Sequence, residues 1–566
     1  MKSWDGAELF YRGWIPSEPS DKAVLLFHRG HEHSGRWQET VDLLGLENIA
    51  VFAWDARGHG RSPGERGAAN NFADVIRDVD AFVRGISERY QIPVENMIVL
   101  AHSLGAVSVA AWVHDYAPPI RAMILAAAAF HVKLYVPFAI ALLRMKQKLF
   151  GPGRVKSYVK SSLLTRDREQ AALYDADPLI FRQIAVNVLL DLHDAGRRLI
   201  ADAGAIQTPT LMIGAGHDWV VNLKAQREFF NRLSSPLKEM EIYAPAYHAI
   251  FHDRDRHLVA QRASKFIRER FAEPVTQQSL LDADRAGYTR DEYERLKSRG
   301  GMKFAVARAG LRVAGRLSHG VGLGWRSGFD SGLSLDYVYE NKPRGALGVG
   351  RLIDKSYLNS IGWRGIRQRK ANLKNALGNV IETLHREGRP VRILDIAAGA
   401  GRYVMETLHE FPDISASAIL RDYKQENVAA ARALAQEFGL ENVIVQQGDA
   451  FDPRAIRAIT AHATIGIVSG LYELFPGNQP VLNSLRGLAG AIEPGGYLIY
   501  TNQPWHPQVE FIARVLRNRE GQPWVMRRRT TAEIDELVRV AGFRKIAMEV
   551  DQWGMFTVST ARRSNP

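Results

Sequence analysis

The chain has 566 residues, 46% of them hydrophobic and 24% charged, and its 74 Lys+Arg outweigh 61 Asp+Glu to give a net charge of +13. That length predicts at least two large domains with ordinary cores, and the composition excludes a disordered, collagenous or purely coiled-coil chain. Cysteine is absent, which removes disulfides, thiolate zinc sites and cysteine nucleophiles and fits a reducing compartment; no metal site is predicted. The opening Met-Lys-Ser-Trp-Asp-Gly has no apolar core of a secretory signal. The longest apolar stretch, Ala122–Leu143, carries His131, Lys133 and Pro137 near its centre, where charge is costly in a bilayer. It reads as a buried strand running into a separate amphipathic helix. A soluble, cytoplasmic protein is therefore expected, with peripheral contact to the inner membrane surface left open.

From Ala23 to about Arg270, short β-branched runs alternate with helical patterns: Ala23–His28, Ile49–Asp55, Met97–Ala101, Arg121–Ala127, Thr210–Gly214 and Lys238–Tyr243. Continuous apolar strands alternating with helices predict a mostly parallel sheet covered on both faces. A second set follows at Val391–Ile396, Ser415–Leu420, Val443–Gln447, Thr464–Val468 and Gly496–Thr501, closed by Lys545–Val550 and Phe556–Ala561, which are spaced to pair as an antiparallel hairpin. Between the two sets, residues 273–389 read as helices with glycine breaks. Within them Met302–Leu317 interleaves Phe304, Val306, Leu311, Val313 and Leu317 with Lys303, Arg308, Arg312 and Arg316. Such a helix either lies on an anionic membrane surface or packs as a connector. The basic run Arg364–Lys374 reads as a solvated helix face.

Strand Met97–Leu100 runs into Ala101-His102-Ser103-Leu104-Gly105 and then a small-residue helix, Ala106–Val113. A tight strand-to-helix turn of this kind exposes the serine hydroxyl, and small flanking residues let strand and helix approach; Ala101 stands where glycine is usual. Serine needs a base, and the base needs an acid to fix its tautomer. In the order Ser…Asp…His, Asp218 follows the strand ending near Gly214, and His248 lies in the loop after the next strand. His217 and His252 are competitors outside the expected point of convergence. The Leu104 N–H, at the helix N-terminus, and an N–H from the loop His28–Trp37 are expected to face a developing oxyanion.

Glu32–Arg36, Asp55-x-Arg57-Gly58-His59-Gly60-x-Ser62-x-Gly64 and the opening Asp5-Gly6-x-x-Leu9-Phe10-Tyr11-Arg12-x-Trp14 resemble the monoacylglycerol lipase and lysophospholipase branch of the α/β-hydrolases, of serine aminopeptidase S33 type, over residues 4–270. That family's first loop is His-Gly-x-Gly; here Arg29 and His31 replace the two glycines, so the resemblance leaves Gly30 as the backbone donor. It also implies a lid at about 131–205. There Leu134, Val136, Phe138, Ile140, Leu142 and Leu143 stand beside Lys133, Arg144, Lys146 and Lys148, a composition suited to an acyl-binding lid or to a plain roof over the core.

After Val391–Leu394 comes Asp395-Ile396-Ala397-Ala398-Gly399-Ala400-Gly401. A glycine-rich strand-to-helix turn lets a ligand approach the backbone, but a dinucleotide fold wants a third glycine where Val404 stands. Asp-x-Ala-x-Gly-x-Gly instead resembles motif I of class I S-adenosylmethionine-dependent methyltransferases. The resemblance assigns Asp395, Ala397, Gly399 and Gly401 to the cofactor loop, Asp422 to the ribose hydroxyls, Asp449 and Ala450 to the adenine, and Ser469 to the methyl side. Glu493-Pro494-Gly495-Gly496 fits the turn before that family's fifth strand. Tyr472, Glu473 and His506 are the candidates on the acceptor side. The pairing of the two units, the second beginning near Leu335-Asp336-Tyr337-Val338-Tyr339, resembles a bacterial group of fused hydrolase/methyltransferase proteins.

The expected class is α/β with two domains: an α/β-hydrolase fold over 1–272, a helical connector with the methyltransferase's N-terminal helices over 273–389, and a Rossmann-like class I methyltransferase core over 390–566. The leading expectation is a bifunctional enzyme of lipid metabolism that cleaves an acyl ester of monoacylglycerol or lysophospholipid type and methylates a small molecule or lipid with S-adenosylmethionine. Peripheral membrane contact would run through the lid and helix 302–317. Two alternatives stand beside it. One is a nucleic-acid methyltransferase with a hydrolase-shaped interaction module, against which the positive residues are dispersed and no aromatic-interleaved RNA-binding motif occurs. The other is an active hydrolase regulated by S-adenosylmethionine binding. Oligomeric state is open.

Overall fold

Uninterrupted apolar runs need a sheet covered on both faces, and the computed structural model builds two, describing residues 1–274, 278–298, 300–459 and 462–564. The chain divides into two units, Met1–Gln278 and Ser279–Pro566. The first holds strands β1 (Tyr11–Trp14), β2 (Ala23–Phe27), β3 (Ala50–Trp54), β4 (Met97–His102), β5 (Ala122–Ala126), a ribbon β6 (Arg154–Lys156) and β7 (Gln183–Ala185), then β8 (Thr210–Ala215) and β9 (Lys238–Tyr243). The seven-stranded sheet runs β1-β3-β2-β4-β5-β8-β9. All its pairings are parallel except β1 on β3. Every residue of β2 to β5 is buried. Chain order turns back between β2 and β4, so the carboxyl ends of those strands open a crevice.

The apolar stretch Ala122–Leu143 resolves into β5 and a separate helix that starts at Ala139. Among the described residues no helix is long and apolar enough to cross a membrane. Residues 131–205 leave the sheet as helices Ala139–Phe150, Ser161–Leu164, Arg168–Ala176 and Val186–Asp202 with the two-stranded ribbon.

The second unit adds β10 (Val391–Asp395), β11 (Ala416–Asp422), β12 (Val443–Gln447), β13 (Ala463–Val468), β14 (Ile492–Asn502), β15 (Phe543–Val550) and β16 (Thr557–Arg563). Their order is β12-β11-β10-β13-β14-β16-β15, with β16 antiparallel to both neighbours. This Rossmann-like order reverses between β10 and β13, which fixes the crevice. Glu493–Gly496 is less a turn than a bulge inside β14: Ala463 pairs Ile492, yet Ile465 pairs Tyr497. The helices that the sequence sets apart over 273–389 belong, from Ser279 onward, to this unit. Phe304, Val321, Tyr337 and Trp363 share one core with Ile512, Met526 and Phe556. Helix Met302–Ala314 thus packs through Phe304, while Met302, Val306 and Val313 stay exposed.

The run Arg364–Lys374 corrects the expectation of a solvated face. It lies in helix Ile361–Arg386, and Arg369 falls on the same stripe as Trp363, Ile366 and Leu373, so that it is 3% exposed. Lys370 and Lys374 do reach outward, to Glu406 and Glu410.

Candidate active sites

β4 ends at His102 and helix Leu104–Tyr116 begins two residues later, leaving Ser103 at φ 57° and ψ −113°. That strained, left-handed turn aims the hydroxyl away from the sheet. Gly105 permits it: a Cβ there would lie 2.5 Å from the His28 carbonyl oxygen and 2.8 Å from that of Phe27. The Ser103 N–H donates to Ala126 O at 2.9 Å, and the Ala129 N–H donates to Ser103 O at 3.1 Å, which locks the turn to β5.

His248 Nε2 is 2.8 Å from Ser103 Oγ, and His248 Nδ1 is 2.8 Å from Asp218 Oδ2. All three side chains are buried. A carboxylate only accepts, so Nδ1 carries the hydrogen and Nε2 is bare toward the hydroxyl. The other oxygen of Asp218 accepts the N–H groups of Val220 and Val221 at 2.8 and 2.9 Å. The elbow residue His102 donates through Nε2 to His248 O at 2.8 Å, a positioning role that sequence reading missed. His217 faces Ala244 O and His252 faces Arg36 O, so neither joins the group.

The loop after β2 is built around His28. Its Nε2 accepts the Ala56 N–H at 3.0 Å and its Nδ1–H donates to Arg29 O at 2.7 Å, while burial pushes its pKa down to about 4. Arg29 is buried against Glu32 at 2.7 Å and stacks 4.9 Å from the Tyr174 ring centre. His31 occupies a glycine-type φ of 72° and is held neutral by burial, its pKa pushed down to about 3. A methyl built on Gly30 would lie 3.8 Å from the Leu104 side chain, so the two residues expected to donate to the oxyanion are neighbours. The Asp55–Gly64 segment is a brace: Asp55 accepts the N–H groups of Ser34 and Arg61 at 2.6 and 2.7 Å.

A cavity of about 480 Å³ opens over Ser103 and His248. Lid residues Leu134, Val136, Leu142 and Leu143 line it together with Leu189 and Leu192, whereas Phe138 points outward at 83% exposure. The lid's first residues are strapped to the acid's loop: Val132 bridges Val221, Lys133 Nζ donates to Asp218 O at 2.5 Å, and Tyr135 Oη donates to Trp219 O at 2.6 Å.

In the second unit the parallel register brings the ends of β10, β11 and β13 level, Asp395 pairing with Leu420 and Ile467. Asp395 is fully buried. One of its oxygens accepts the Ala397 N–H at 3.1 Å, the other accepts the Tyr403 hydroxyl, and burial pushes its pKa up to about 7. Its carboxyl group therefore shapes the loop. Gly399 and Gly401 adopt φ of 59° and 69°. A side chain on Gly401 would strike Leu420, whereas at Gly399 the nearest atom is the Gly332 Cα at 4.0 Å. Asp422 sits at the end of β11 and accepts the N–H groups of Gly399 and Lys424 at 3.0 and 2.9 Å. Asp449 is exposed beyond β12, Ala450 is buried beside it, and Ser469 follows β13 half-buried. The glycine cradle is thus open to a ligand at Gly399, with Asp422 and Asp449 at the ends of the two strands that follow.

Glu473 and His506 line a common cavity in this unit with Arg369, a residue the sequence reading left out. Tyr472 does not join them; its hydroxyl donates to Ser484 Oγ at 3.0 Å within the sheet's core. The signal for Arg369 was its place on an apolar helical stripe. His506 is buried, which pushes its pKa down to about 3, and its Nδ1 accepts the Gln508 N–H at 3.0 Å. The triple run Arg527–Arg529 is also buried. There Arg529 gathers the carbonyls of Tyr472, Phe475 and Gly477 at 2.6, 2.8 and 2.8 Å, pinning the loop that carries Glu473.

A lidded α/β unit with a hydroxyl–imidazole–carboxylate relay, and a Rossmann-like unit with a glycine turn at its crevice, define a chain of hydrolase and methyltransferase type. The chain belongs to the family described as "Putative methyltransferase", whose profile matches residues 263–563, and the profile of serine aminopeptidase, S33, matches residues 18–255. It is 48% identical over 572 residues to the uncharacterized protein YnbC of Escherichia coli K12, covering 99% of this chain and 97% of that one. The monoacylglycerol lipase of Mycolicibacterium smegmatis is 28% identical over 264 residues, 46% of this chain and 93% of its own. Among solved structures, Paleococcus ferrophilus monoacylglycerol lipase matches with 24% identity and a TM-score of 0.43, over 46% of this chain and 99% of that one.

Proposed function

We propose a bifunctional enzyme of lipid metabolism: a serine ester hydrolase for monoacylglycerol- or lysophospholipid-like substrates, joined to an S-adenosylmethionine-dependent methyltransferase acting on a small molecule or lipid. The Ser103–His248–Asp218 contacts at the floor of an apolar cavity carry the first half. Ser103 Oγ attacks the ester carbonyl as His248 Nε2 takes its proton, and Asp218 holds the imidazole in the required tautomer and orientation. The N–H groups of Gly30 and Leu104 receive the oxyanion. His248 then protonates the leaving alcohol, and a water activated by the same imidazole releases the acid. The lid's leucines take the acyl chain.

For the second half, the open cradle at Gly399 supports donor binding. Gly399 and Gly401 would admit the nucleoside to the backbone, Asp422 would meet the ribose, and Asp449 with Ala450 would meet the base. Bound S-adenosylmethionine supplies an electrophilic methyl group; the chain supplies alignment and a proton acceptor. The first test is hydrolysis of a monoacylglycerol by the full chain carrying Ser103→Ala. Activity should vanish, and undiminished hydrolysis would end the assignment. Lipid profiling of cells carrying the wild type, Ser103→Ala or Asp395→Ala tests linkage of the two halves, since each variant should accumulate its own precursor if they act in sequence.

A further inference from the structure

The second unit also holds a cavity of about 410 Å³. Trp363, Trp524, Phe511 and Phe556 stand on it with Leu335 and Ile366, so its walls are mainly apolar and include several aromatic rings. Polar side chains interrupt them, among them Asp330, Gln503, Arg369, Glu473 and His506. Arg369, Glu473 and His506 are 3%, 7% and 4% exposed. Glu473 Oε1 lies 3.5 Å from Arg369 Nη1, but Glu473 Oε2 and Arg369 Nε have no hydrogen-bond partner among the described residues. His506 accepts at Nδ1, so its hydrogen sits on Nε2 and it presents a donor. A bare carboxylate oxygen and a bare guanidinium N–H inside a protein are costly, and each calls for a partner. The cavity also reaches the crevice: Gly470, two residues past β13, lines it, and a methyl there would fall 2.9 Å from Arg369 Nη2.

Asp330 is taken up by Arg519, whose Nε and backbone N–H donate to its two oxygens at 3.0 and 2.6 Å, so the charges left to a ligand are one carboxylate and one guanidinium, which balance, beside an imidazole that burial keeps neutral. A carboxylate ligand would be repelled by Glu473, and an ammonium ligand by Arg369. A hydroxyl donates to Oε2 and accepts an N–H at the same time, while an apolar body suits the walls.

We propose that this cavity binds an apolar molecule bearing one alcoholic or phenolic hydroxyl, presented to Glu473, and that this oxygen is the methyl acceptor. The assignment rests on the methyltransferase reading above. The hydroxyl oxygen bonds to the methyl carbon as the carbon–sulfur bond of the sulfonium donor breaks, the electron pair of that bond staying on a neutral thioether sulfur. The hydroxyl proton passes to Glu473 Oε2 and then to water. Arg369 and His506 hold the oxygen through N–H groups and take no proton.

The test titrates a terminally brominated dodecanol, and the matching brominated dodecanoate, into the full chain while tryptophan fluorescence is read, because bromine quenches an indole it touches. The cavity carries Trp363 and Trp524, whereas no tryptophan lines the lid cavity of the first unit among the described residues. The alcohol should quench with a half-saturation at least tenfold below that of the carboxylate, and Glu473→Gln should narrow that gap to less than threefold. Equal affinity for the two probes on the unaltered protein would overturn the assignment. So would quenching that persists in the Trp363→Phe/Trp524→Phe variant. Calorimetry with S-adenosylmethionine separates the layers. Donor heat without alcohol-selective quenching sinks the cavity's role alone, while selective quenching without donor heat sinks the donor reading. With both bound, a methyl ether should appear by mass spectrometry, and its absence would refute the acceptor role.

Discussion

Replacing Asp218 by Asn tests the relay in the first unit without changing its shape. The side chain is fixed at both ends, because one oxygen accepts the N–H groups of Val220 and Val221 at 2.8 and 2.9 Å and the other faces His248 Nδ1 at 2.8 Å. Those two N–H groups demand an acceptor, so the asparagine oxygen must take their side and its NH₂ must face the imidazole. The imidazole then accepts at Nδ1 and carries its hydrogen on Nε2, where it can no longer take the Ser103 proton. A reversed tautomer in such a relay costs roughly 10⁴-fold in kcat, about 5.5 kcal/mol of barrier. Steady-state hydrolysis of a monoacylglycerol by the full chain would read this, with a thermal melt as control. The melt should move little, since volume and the paired N–H groups are retained. A folded variant retaining kcat within tenfold of the parent would refute the argument.

Gly105→Ala should cost about 1–3 kcal/mol, seen as a lower melting temperature, because its Cβ would press on two backbone oxygens at 2.5 and 2.8 Å that cannot yield. Arg529→Met would leave the carbonyls of Tyr472, Phe475 and Gly477 unmet; a loss of more than about 3 kcal/mol in urea unfolding is expected. Burial raises the Asp395 pKa to about 7. The folded chain therefore holds a proton that the unfolded chain sheds near its ordinary carboxylate value, and this contribution to stability is lost as pH rises from about 4 to 7. Asp395→Asn keeps the Ala397 and Tyr403 contacts, with the hydroxyl's direction reversed, and should show a flatter melting profile across that window.

The strand alternation was legible because parallel strands buried on both faces cannot carry polar residues, and Ser103, Asp218 and His248 were legible because strand ends converge in a fixed order. Edges were not. β1 is an antiparallel edge strand of four residues with a glycine at its third position, and the lid ribbon is three residues a side; neither is long enough to set a period. Buried charge was the other blind spot. Arg369 reads as part of a solvated face in a linear chain and Arg527–Arg529 give no signal in it, since Glu473, Glu292 and the carbonyls that surround them come from segments distant in sequence. For the same reason Tyr472 and Glu473, adjacent in the chain, were read as equivalent although they face different compartments.

The strap from Val132 to Tyr135 has a mechanical consequence. It fixes the frame beside Asp218, while the chain passes through left-handed geometry at Phe138 and again at Gly151, on either side of helix Ala139–Phe150. That helix lends Leu142 and Leu143 to the cavity wall from beyond the strapped frame, so the side chains that meet an acyl chain and those that orient the acid are held by separate stretches of the polypeptide.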